Sequence, residues 1–203
     1  EVLDSFGGIN DLNDNILRTP LNPDITYSDD PLRMMRAIRF ATQLDFQIEA
    51  ESLASISKNA DRISIISKER IAVELNKIIL TKTPSKGFLL LDETGLLEHI
   101  FPEFVNLKGV EIIDGVGHKD NFHHTLEVLD NISNNTNDLW LRWAAILHDI
   151  AKPISKRFSK THGWTFHGHE DKGARMVPGI FRKLKLPLDH KMKFVQKLVL
   201  LHL

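Results

Sequence analysis

The sequence contains no cysteine, which excludes disulfide bonds and thiolate metal sites and removes one argument for secretion. It also lacks any apolar run near the ~20 residues that a membrane-spanning helix needs. The first residues, EVLDSFGG, do not have the charged and apolar regions of a signal peptide. We therefore expect a cytoplasmic protein that does not bind a membrane.

An excess of charge of either sign is also missing, since 26 basic residues face 27 acidic ones and the formal net charge is −1. A nucleic-acid-binding role must therefore depend on a local basic patch. The 203 residues, 42% of them hydrophobic, are enough for one or two domains with a buried core. Histidine is unevenly distributed. Seven of the ten histidines lie between positions 118 and 169: His118, His123, His124, His148, His162, His167 and His169.

The hydrophobic pattern predicts an all-α fold after an irregular N-terminal segment. Residues 1–28 are rich in Asn, Asp, Gly and Pro, and only the piece NILRTPL looks like a β-strand. Apolar residues then recur at helical spacing. The predicted helices cover positions 30–44, 49–58, 68–80, 83–91, 121–133, 138–152, 170–184 and 189 to the end, with a predicted loop at 104–120.

The stretch SDDPLRMMRAIRF predicts a helix start with an unusual cation in its first turn. Asp30 is a good N-cap and the following proline suits the first helical position. Arg33, however, lies where the helix dipole disfavours a positive charge. An Asp acceptor and an Arg donor three residues apart can present a hydrogen-bonding edge to a nucleobase.

Arg33, Arg36 and Arg39 recur every three residues and lie within about 120° of arc on this helix. This basic stripe has two interpretations. It could be a solvated face that pairs with Asp45 or Glu49, as most charged stripes are. It could also bind phosphate groups.

Histidine and aspartate side chains fall on or next to three successive predicted helices. His124 lies in FHHTLEVLDN, the pair His148 and Asp149 in LRWAAILHDIAKP, and His169 in HGHEDKGA. Imidazole and carboxylate together suit Mn, Fe, Co, Ni or Zn, and a carboxylate in apolar surroundings needs a partner. The alternative is that Asp149 is exposed or bonded to Lys152 and that the histidines are structural.

The run AAILHDIAKP is similar to the central helix of the HD-domain phosphohydrolases. The resemblance implies a divalent metal (Mn, Ni, Fe, Co, Zn or Mg) that activates water against a phosphate ester. The implied ligands are His124, His148 and Asp149, with His169 as an extra ligand and Lys152 near the phosphate.

Three other histidines bear on this assignment. His202 is a further candidate ligand of the two-metal members. His123 competes with its neighbour, and His167 competes with the histidine two positions later, but their neighbouring residues fit the family pattern less well. The last aspartate of the family pattern is not expected after His202, because only Leu203 follows it.

A second resemblance covers nearly the whole chain. DDPLRMMRAIRF looks like the Glu-Asp-x-x-Arg motif of the class II tRNA nucleotidyltransferases and bacterial poly(A) polymerases. FGGINDLNDNILRTPL is similar to the closing segment of their head domain, and ISKERIAVELNKIIL to their neck helix. The resemblance implies that Asp30 and Arg33 hydrogen-bond incoming CTP or ATP and that Arg36 and Arg39 line the nucleotide pocket. Asp29 stands where the family usually has glutamate.

The catalytic head of that family, with its Gly-Ser motif and its paired carboxylates for two Mg²⁺, has no counterpart before Asp30, so we assign no catalytic residue. The domains implied are a head remnant at 1–28, a helical neck at 29–103 that binds nucleotide and RNA, and a C-terminally truncated HD domain at 104–203. The implied function is that of a fragment of an enzyme that adds nucleotides to the 3′ end of tRNA or another RNA.

Two rival functions stay open. One is a metal-dependent HD-domain phosphohydrolase, and the other is a purely structural tRNA-binding module, against which the near-neutral charge counts. The residues that distinguish CCA addition from A-only or CC-only addition lie in the missing head.

Overall fold

The computed structural model describes residues 3–202 and is mostly helical, which confirms the predicted fold class. The chain divides into two compact units, Glu1–Ile100 and Phe101–Leu203, called here the N-terminal and the C-terminal unit. Over the described residues, no helix is both long and apolar enough to cross a membrane.

The N-terminal unit is built from seven α-helices among its described residues, one 3₁₀ helix and a two-stranded parallel sheet. The helices are α1 (Gly8–Asn13), α2 (Pro23–Asp29), α3 (Leu32–Leu44), α4 (Ala50–Lys58), α5 (Lys68–Ile79), α6 (Pro84–Glu93) and α7 (Leu96–Ile100), with the 3₁₀ helix at Ala60–Ile65. The strands β1 (Ile16–Leu17) and β2 (Gln47–Ile48) pair in parallel.

The segment predicted as irregular contains two helices, and this is a correction. Helix α2 begins after Asn22, whose side-chain oxygen accepts a hydrogen bond from the Ile25 N–H, and Pro23 occupies the first helical position. The same residues that were interpreted as loop formers therefore serve as a helix start. The predicted β-like piece is confirmed only for the two residues of β1. Residues 1 and 2 lie outside the described residues.

Helix α3 is held by packing against α5 and α6. Its apolar stripe, which includes Met34, Met35 and Ile38, is fully buried. Helix α6 approaches α5 closely at Gly87, where a Cβ atom would lie 2.4 Å from the Cγ2 atom of Ile78. A side chain at this position would force the helices apart, so the close approach requires glycine.

The C-terminal unit has six α-helices among its described residues and two antiparallel hairpins. The helices are α8 (Pro102–Val105), α9 (Asn121–Ser133), α10 (Leu139–Leu147), α11 (Lys152–Ser155), α12 (His169–Lys183) and α13 (His190–Leu201). The hairpins pair β3 (Ile112–Ile113) with β4 (Val116–Gly117), and β5 (Arg157–Ser159) with β6 (Gly163–Thr165).

The two hairpins were not predicted from the sequence. The first lies in the predicted loop at 104–120, and the second follows α11. They contact each other where the indole N–H of Trp164 donates to the carbonyl of Val116, 2.9 Å away. Neither hairpin has the long alternating pattern by which strands are recognised.

Helix α10 carries the sequence that leads into the histidine–aspartate pair. Asp138 caps it by accepting hydrogen bonds from the backbone N–H groups of Trp140 and Leu141. The buried Arg142 donates to the carbonyls of Ser133 and Thr136, and so ties the end of α9 to α10. The helix ends at Leu147 and not near position 152 as predicted, so the residues that follow turn inward.

Candidate metal centre and nucleotide-binding helix

Asp149 lies in the turn between α10 and α11 and is buried, with 2% of its side chain exposed. Its Oδ2 atom lies 2.7 Å from Lys152 Nζ, 3.1 Å from His148 Nε2 and 4.0 Å from His124 Nε2. The lysine comes from the first turn of α11 and His124 from α9. The short turn after α10 therefore brings three elements to one carboxylate oxygen.

The other carboxylate oxygen of Asp149 faces two further histidines. Oδ1 lies 3.4 Å from His169 Nε2 at the start of α12 and 3.7 Å from His202 Nε2 at the end of α13. The two Nε2 atoms are 3.2 Å apart. Asp149 thus belongs to two groups of three residues that could hold a metal ion, one with His124 and His148 and one with His169 and His202.

His124 and His169 lie close to Asp149, and these are the two competing histidines whose neighbouring residues fit the family pattern better. His123 is 63% exposed and contacts Asp120 instead, and His167 is exposed. The structure therefore brings together all four residues that the sequence indicated as a metal site. His202, considered only as a further candidate, lies in the same cluster.

The residues present fit a divalent cation. Imidazole nitrogen and carboxylate oxygen are the donor set of Mn, Fe, Co, Ni and Zn sites. The Oδ2 atom of Asp149 is buried and lacks a well-formed hydrogen bond, although Lys152 Nζ lies nearby. A buried carboxylate oxygen without such a partner is costly, and a cation would satisfy it.

The electrostatics keep the Asp149 carboxylate charged. Burial alone would raise its pKa, but the close approach of His148, His202 and Lys152 outweighs burial and holds the pKa well below its usual range. The nearby Asp149 carboxylate raises the pKa of His202. The site therefore offers an ionised oxygen ligand at neutral pH.

The cluster lines a cavity of about 620 Å³. The cavity is also lined by the apolar side chains of Val128, Ile132, Leu141, Leu198 and Leu201. These side chains offer no hydrogen bonds, so they suit an apolar or aromatic part of a ligand whose polar part contacts the cluster.

The second candidate site is the start of α3. The sequence predicted Asp30 as the N-cap and Pro31 as the first helical residue, but the helix begins at Leu32, so Pro31 occupies the N-cap position and Asp30 precedes it. The Oδ1 atom of Asp30 accepts a hydrogen bond of 3.3 Å from the Leu32 N–H. The Oδ2 atom of Asp30 lies 3.8 Å from the Nε atom of Arg33, and their side chains are 34% and 52% exposed. The pair therefore faces solvent and is only loosely joined.

The three arginines of α3 do not share one environment. Arg36 is exposed like Arg33, but Arg39 is buried. The guanidinium of Arg39 lies 3.2 Å from the carboxylate of Glu74 on α5 and 4.0 Å from the ring centre of Phe40. Its contacts are with the packed side of the helix, so the stripe that the sequence predicts is interrupted at its third member.

Sequence reasoning missed Arg70. Its Nη2 atom lies 3.9 Å from the Oδ1 atom of Asp30, which places it beside the pair formed with Arg33. Arg70 occupies the position three residues after Ser67, the N-cap of α5, where a capping box has Glu or Gln. No periodic signal connects positions 30 and 70, because their contact depends on the packing of α5 against α3.

Two family models match separate parts of the chain. Residues 45–107 match the model described as "Probable RNA and SrmB- binding site of polymerase A", and residues 121–203 match the HD domain. The first covers helices α4 to α8, and the second covers every residue of the Asp149 cluster.

Curated proteins of known activity are similar over nearly the whole chain. An A-adding tRNA nucleotidyltransferase of Deinococcus radiodurans is 34% identical over 92% of this chain, and a multifunctional CCA protein of Nitrosococcus oceani is 31% identical over 96%. A multifunctional CCA protein of Haemophilus influenzae is 34% identical over 92%. The chain spans 44%, 47% and 46% of these relatives, respectively.

Solved structures share the fold. A Bacillus stearothermophilus CCA-adding enzyme in complex with CTP superposes with a TM-score of 0.67 at 22% identity, over 96% of this chain and 40% of that one. A tRNA nucleotidyltransferase complexed with a primer tRNA and an ATP analogue gives 0.54 at 16% identity, over 96% and 50%.

Proposed function

Because the chain is homologous to the A-adding and CCA-adding tRNA nucleotidyltransferases over more than nine-tenths of its length, we propose that it is the neck and HD region of such an enzyme. The protein to which it belongs adds nucleotides to the 3′ end of tRNA, with ATP or CTP as substrate and RNA as partner. The Mg²⁺ ions of the transfer reaction belong to a catalytic head that these residues do not supply. The cytoplasm is the proposed location.

The observation that carries this proposal is the exposed pair of Asp30 and Arg33 at the start of α3. Their separation of 3.8 Å leaves room for a hydrogen-bonding ligand, since a tight bidentate pair would be shorter. An incoming base can accept from the guanidinium and donate to the carboxylate. The unfavourable position of Arg33 in the first turn is then relieved when an anionic nucleotide binds.

Arg36 and Arg39 take different parts in this proposal. Arg36 is exposed and is available to the phosphates of the nucleotide. Arg39 is held by Glu74, so we assign it the task of fixing α3 against α5. Arg70 stabilises the carboxylate of Asp30 from the other side.

The test is an Arg33→Ala variant of the complete enzyme, assayed for incorporation of CTP and ATP into a tRNA primer. We expect the choice between the two nucleotides to weaken, because the hydrogen-bonding edge is lost. The exposed Lys82→Ala is the matched control, since it removes a cation from another part of the same unit. Unchanged nucleotide choice in Arg33→Ala would contradict the proposal.

The Asp149 cluster favours a second activity, the hydrolysis of a phosphate ester at the HD domain. His124, His148, Asp149 and His169 would hold a divalent ion, with Mn, Ni, Fe, Co, Zn and Mg as candidates. When bound, such an ion activates water and polarises the phosphate.

The residues of the chain supply the remaining functions of the site. The ammonium of Lys152, 2.7 Å from Asp149, is placed to attract the phosphate. The apolar side chains that line the cavity offer no hydrogen bonds and so favour contact with an apolar part of the substrate.

Metal analysis and a hydrolysis assay test this second activity. The chain is loaded with Mn²⁺, its metal content is measured, and the release of nitrophenol from bis(p-nitrophenyl) phosphate is followed. We expect bound metal and hydrolysis in the native chain and loss of both in His148→Ala. His190→Ala, which replaces an 83% exposed histidine, is the matched control. A native chain that holds no metal would contradict the assignment.

A further inference from the structure

The positive charge of the chain is concentrated in its last quarter. Residues 150–203 contain 12 Lys and Arg but only three Asp and Glu, whereas residues 1–149 contain 14 Lys and Arg against 24 Asp and Glu. The formal charges of the two parts are therefore +9 and −10, and they cancel almost completely in the net charge of −1. Charge asymmetry of this kind within one chain indicates contact with a polyanion.

Two of these cations lie on α13 in positions that a helix disfavours. Lys193 and Lys197 are exposed, and neither forms an ion pair with any of the described residues. They stand four residues apart on one side of the helix, where like charges repel each other. Lys193 also lies in the first turn, which has no acidic residue after the N-cap Asp189, and the helix dipole disfavours a cation there. A bound anion would relieve both unfavourable interactions.

The two lysines line a groove of about 310 Å³ between α12 and α13. From α12, Arg175 and Asp171 also line the groove, and their side chains form an ion pair of 2.7 Å. Asp171 is the one acidic residue among the described residues of the groove lining, and Arg175 already neutralises it. The charges of Lys193 and Lys197 are therefore left uncompensated.

The shape of the groove is fixed by close packing of the two helices. The side-chain amide of Gln196 on α13 donates a hydrogen bond of 2.9 Å to the carbonyl of Ala174 on α12. At Gly173 a Cβ atom would lie only 3.1 Å from the Cγ1 atom of Val199. A concave surface that holds several cations in fixed positions suits the phosphodiester backbone of a nucleic acid.

The groove is separate from the sites described above. Helix α13 contributes Leu198, Leu201 and His202 to the cavity at Asp149, and Lys193 and Lys197 to the groove. The groove residues also lie outside positions 45–107, which match the model of an RNA-binding site. Neither the metal centre nor that family model therefore accounts for the groove.

We propose that the groove between α12 and α13 binds the phosphate backbone of RNA, with Lys193 and Lys197 as its main contacts. The choice of RNA among polyanions rests on the proposed tRNA-modifying function, whereas the charge and shape of the groove do not depend on it. Backbone contacts position an RNA without reading its sequence. The C-terminal unit thus adds an RNA contact to those proposed for the N-terminal unit.

The first test measures the affinity of the 203-residue chain for a fluorescently labelled tRNA that lacks its terminal adenosine. Fluorescence polarisation is followed at several KCl concentrations between about 50 and 200 mM. We expect Lys193→Gln/Lys197→Gln to weaken binding about 10-fold at the lowest salt concentration. The slope of log affinity against log salt should flatten by about 1.4–1.8, because two phosphate contacts are lost. Both side chains are exposed and unpaired, so the variant should keep the native fold.

The matched control is Arg182→Gln/Lys160→Gln, which removes the same charge from the same basic segment. Arg182 lies in the last turn of α12, and Lys160 lies in the turn between β5 and β6. Both are exposed, neither lines the groove, and neither forms an ion pair with a described residue. We expect at most about a 2-fold loss of affinity. Equal weakening in both double variants would overturn the groove as the binding site, because diffuse positive charge would then explain the binding.

The second test locates the RNA on the chain and uses the lack of cysteine. Leu200 lines the groove and is 44% exposed, whereas Ile154 is 64% exposed and lies on α11, outside the groove. Leu200→Cys and Ile154→Cys each provide a single thiol for a benzophenone label that cross-links to bound tRNA on irradiation. We expect strong cross-linking from Leu200→Cys only, and its loss when Lys193→Gln/Lys197→Gln is added. Equal cross-linking from both positions would overturn the proposal.

Competition separates RNA from other anionic partners. Unlabelled tRNA should abolish the cross-link from Leu200→Cys, whereas polyglutamate and phosphatidylserine vesicles at the same concentration of negative charge should leave most of it. Equal competition by either of these would mean that the groove does not select RNA and would overturn the proposal.

The outcomes also separate this inference from the proposed function. A native chain that binds tRNA without a cross-link at Leu200→Cys would overturn the groove alone, and the effect of Arg33→Ala on nucleotide choice would be untouched. The same holds for a native chain that does not bind tRNA. Unchanged nucleotide choice in Arg33→Ala, together with a cross-link in the groove, would contradict the proposed function and support the RNA-binding groove.

Discussion

Asp30 and Asp149 are both central to a candidate site, but their surroundings differ. The side chain of Asp149 is 2% exposed, with a lysine 2.7 Å and a histidine 3.1 Å away. The side chain of Asp30 is 34% exposed, and its two arginine contacts are 3.8 and 3.9 Å long. The Asp149 carboxylate is therefore fixed before any ligand binds, whereas the Asp30 carboxylate can still adjust its position to a ligand.

This difference suits the two proposed tasks. A metal site needs ligands that are held in place, because reorganisation would weaken the binding of the ion. A site that accepts either of two bases must change its hydrogen-bonding partners, which loosely paired and solvated side chains can do. If burial is the cause of the difference, matched substitutions should separate the two sites by their effect on stability.

The largest effect is expected for Asp149→Ala. Removal of one partner from a buried ion pair leaves Lys152 uncompensated and should lower the free energy of unfolding by roughly 3–5 kcal/mol. Urea denaturation followed by circular dichroism measures this change. A loss below about 1 kcal/mol, which is the contribution of an exposed ion pair, would contradict this prediction. It would mean that the contacts of Asp149 do not stabilise the metal-free fold.

The acid limb of the stability curve provides the control for Asp149→Ala. The pKa of Asp149 is lowered in the folded state, so its charge stabilises the fold above the unfolded-state pKa. That contribution is lost as the pH falls through the folded-state pKa. We therefore expect the native chain to lose stability in acid more steeply than Asp149→Ala, and parallel curves would contradict the lowered pKa.

Arg39→Ala tests whether the loss of stability depends on how buried the charged residue is or on which candidate site the residue belongs to. Arg39 lies in the same helix as Arg33, yet it is buried against Glu74. We expect a loss of about 3 kcal/mol, the lower end for a buried ion pair, since the buried Glu74 carboxylate would keep only the half-exposed Lys77, 3.2 Å away, as its partner. The double variant Arg39→Met/Glu74→Leu should recover most of this loss, and a failure to recover would indicate that packing and not charge is responsible.

Asp30→Ala should have a smaller effect. The carboxylate accepts a hydrogen bond from the Leu32 N–H at the start of α3, and loss of one such hydrogen bond costs about 1 kcal/mol. Thermal unfolding compared with Asp30→Asn, which keeps an accepting oxygen, measures the contribution of this hydrogen bond alone. Equal losses in both variants would assign the effect to the charge contacts with Arg33 and Arg70.

Arg33→Ala should have the smallest effect on stability, below about 0.5 kcal/mol, because an exposed side chain 3.8 Å from its partner contributes little. Denaturant titration of the 203-residue chain measures it, with Arg39→Ala as the contrasting variant. A loss as large as that of Arg39→Ala would contradict the prediction, because it would mean that the Asp30 site is held as firmly as the buried contacts of Arg39.

Much of this architecture is readable from local sequence. Helices α3 to α6, α9, α10, α12 and α13 were predicted with errors mainly at their ends, because caps and apolar spacing act within a few residues, whereas the short helices α7, α8 and α11 were not predicted. The pair of His148 and Asp149 was identifiable because a charged residue in an apolar run stands out. The structure brings together the residues that the sequence indicated as a metal site, and their roles as metal ligands stay predictions.

The features that escaped prediction depend on contacts distant in the sequence. Arg70 approaches Asp30 only because α5 packs on α3, and Arg39 is buried only because Glu74 faces it. Helix α2 was missed for a different reason, because asparagine and proline can begin a helix as well as break one. The hairpin residues carry too short a pattern to be recognised.

In both His148 and His202, the ring Nδ1 atom lies 2.7 Å from the carbonyl oxygen of the residue three positions earlier, and this contact has a mechanical consequence. His148 and His202 each follow the last residue of a helix, and their rings are tied to the backbone of that terminal turn. Local opening of either terminal turn would therefore rotate a ring away from Asp149. An ion held by these rings would in turn slow amide hydrogen exchange at both helix ends, so the occupancy of the centre could be read from backbone protection alone.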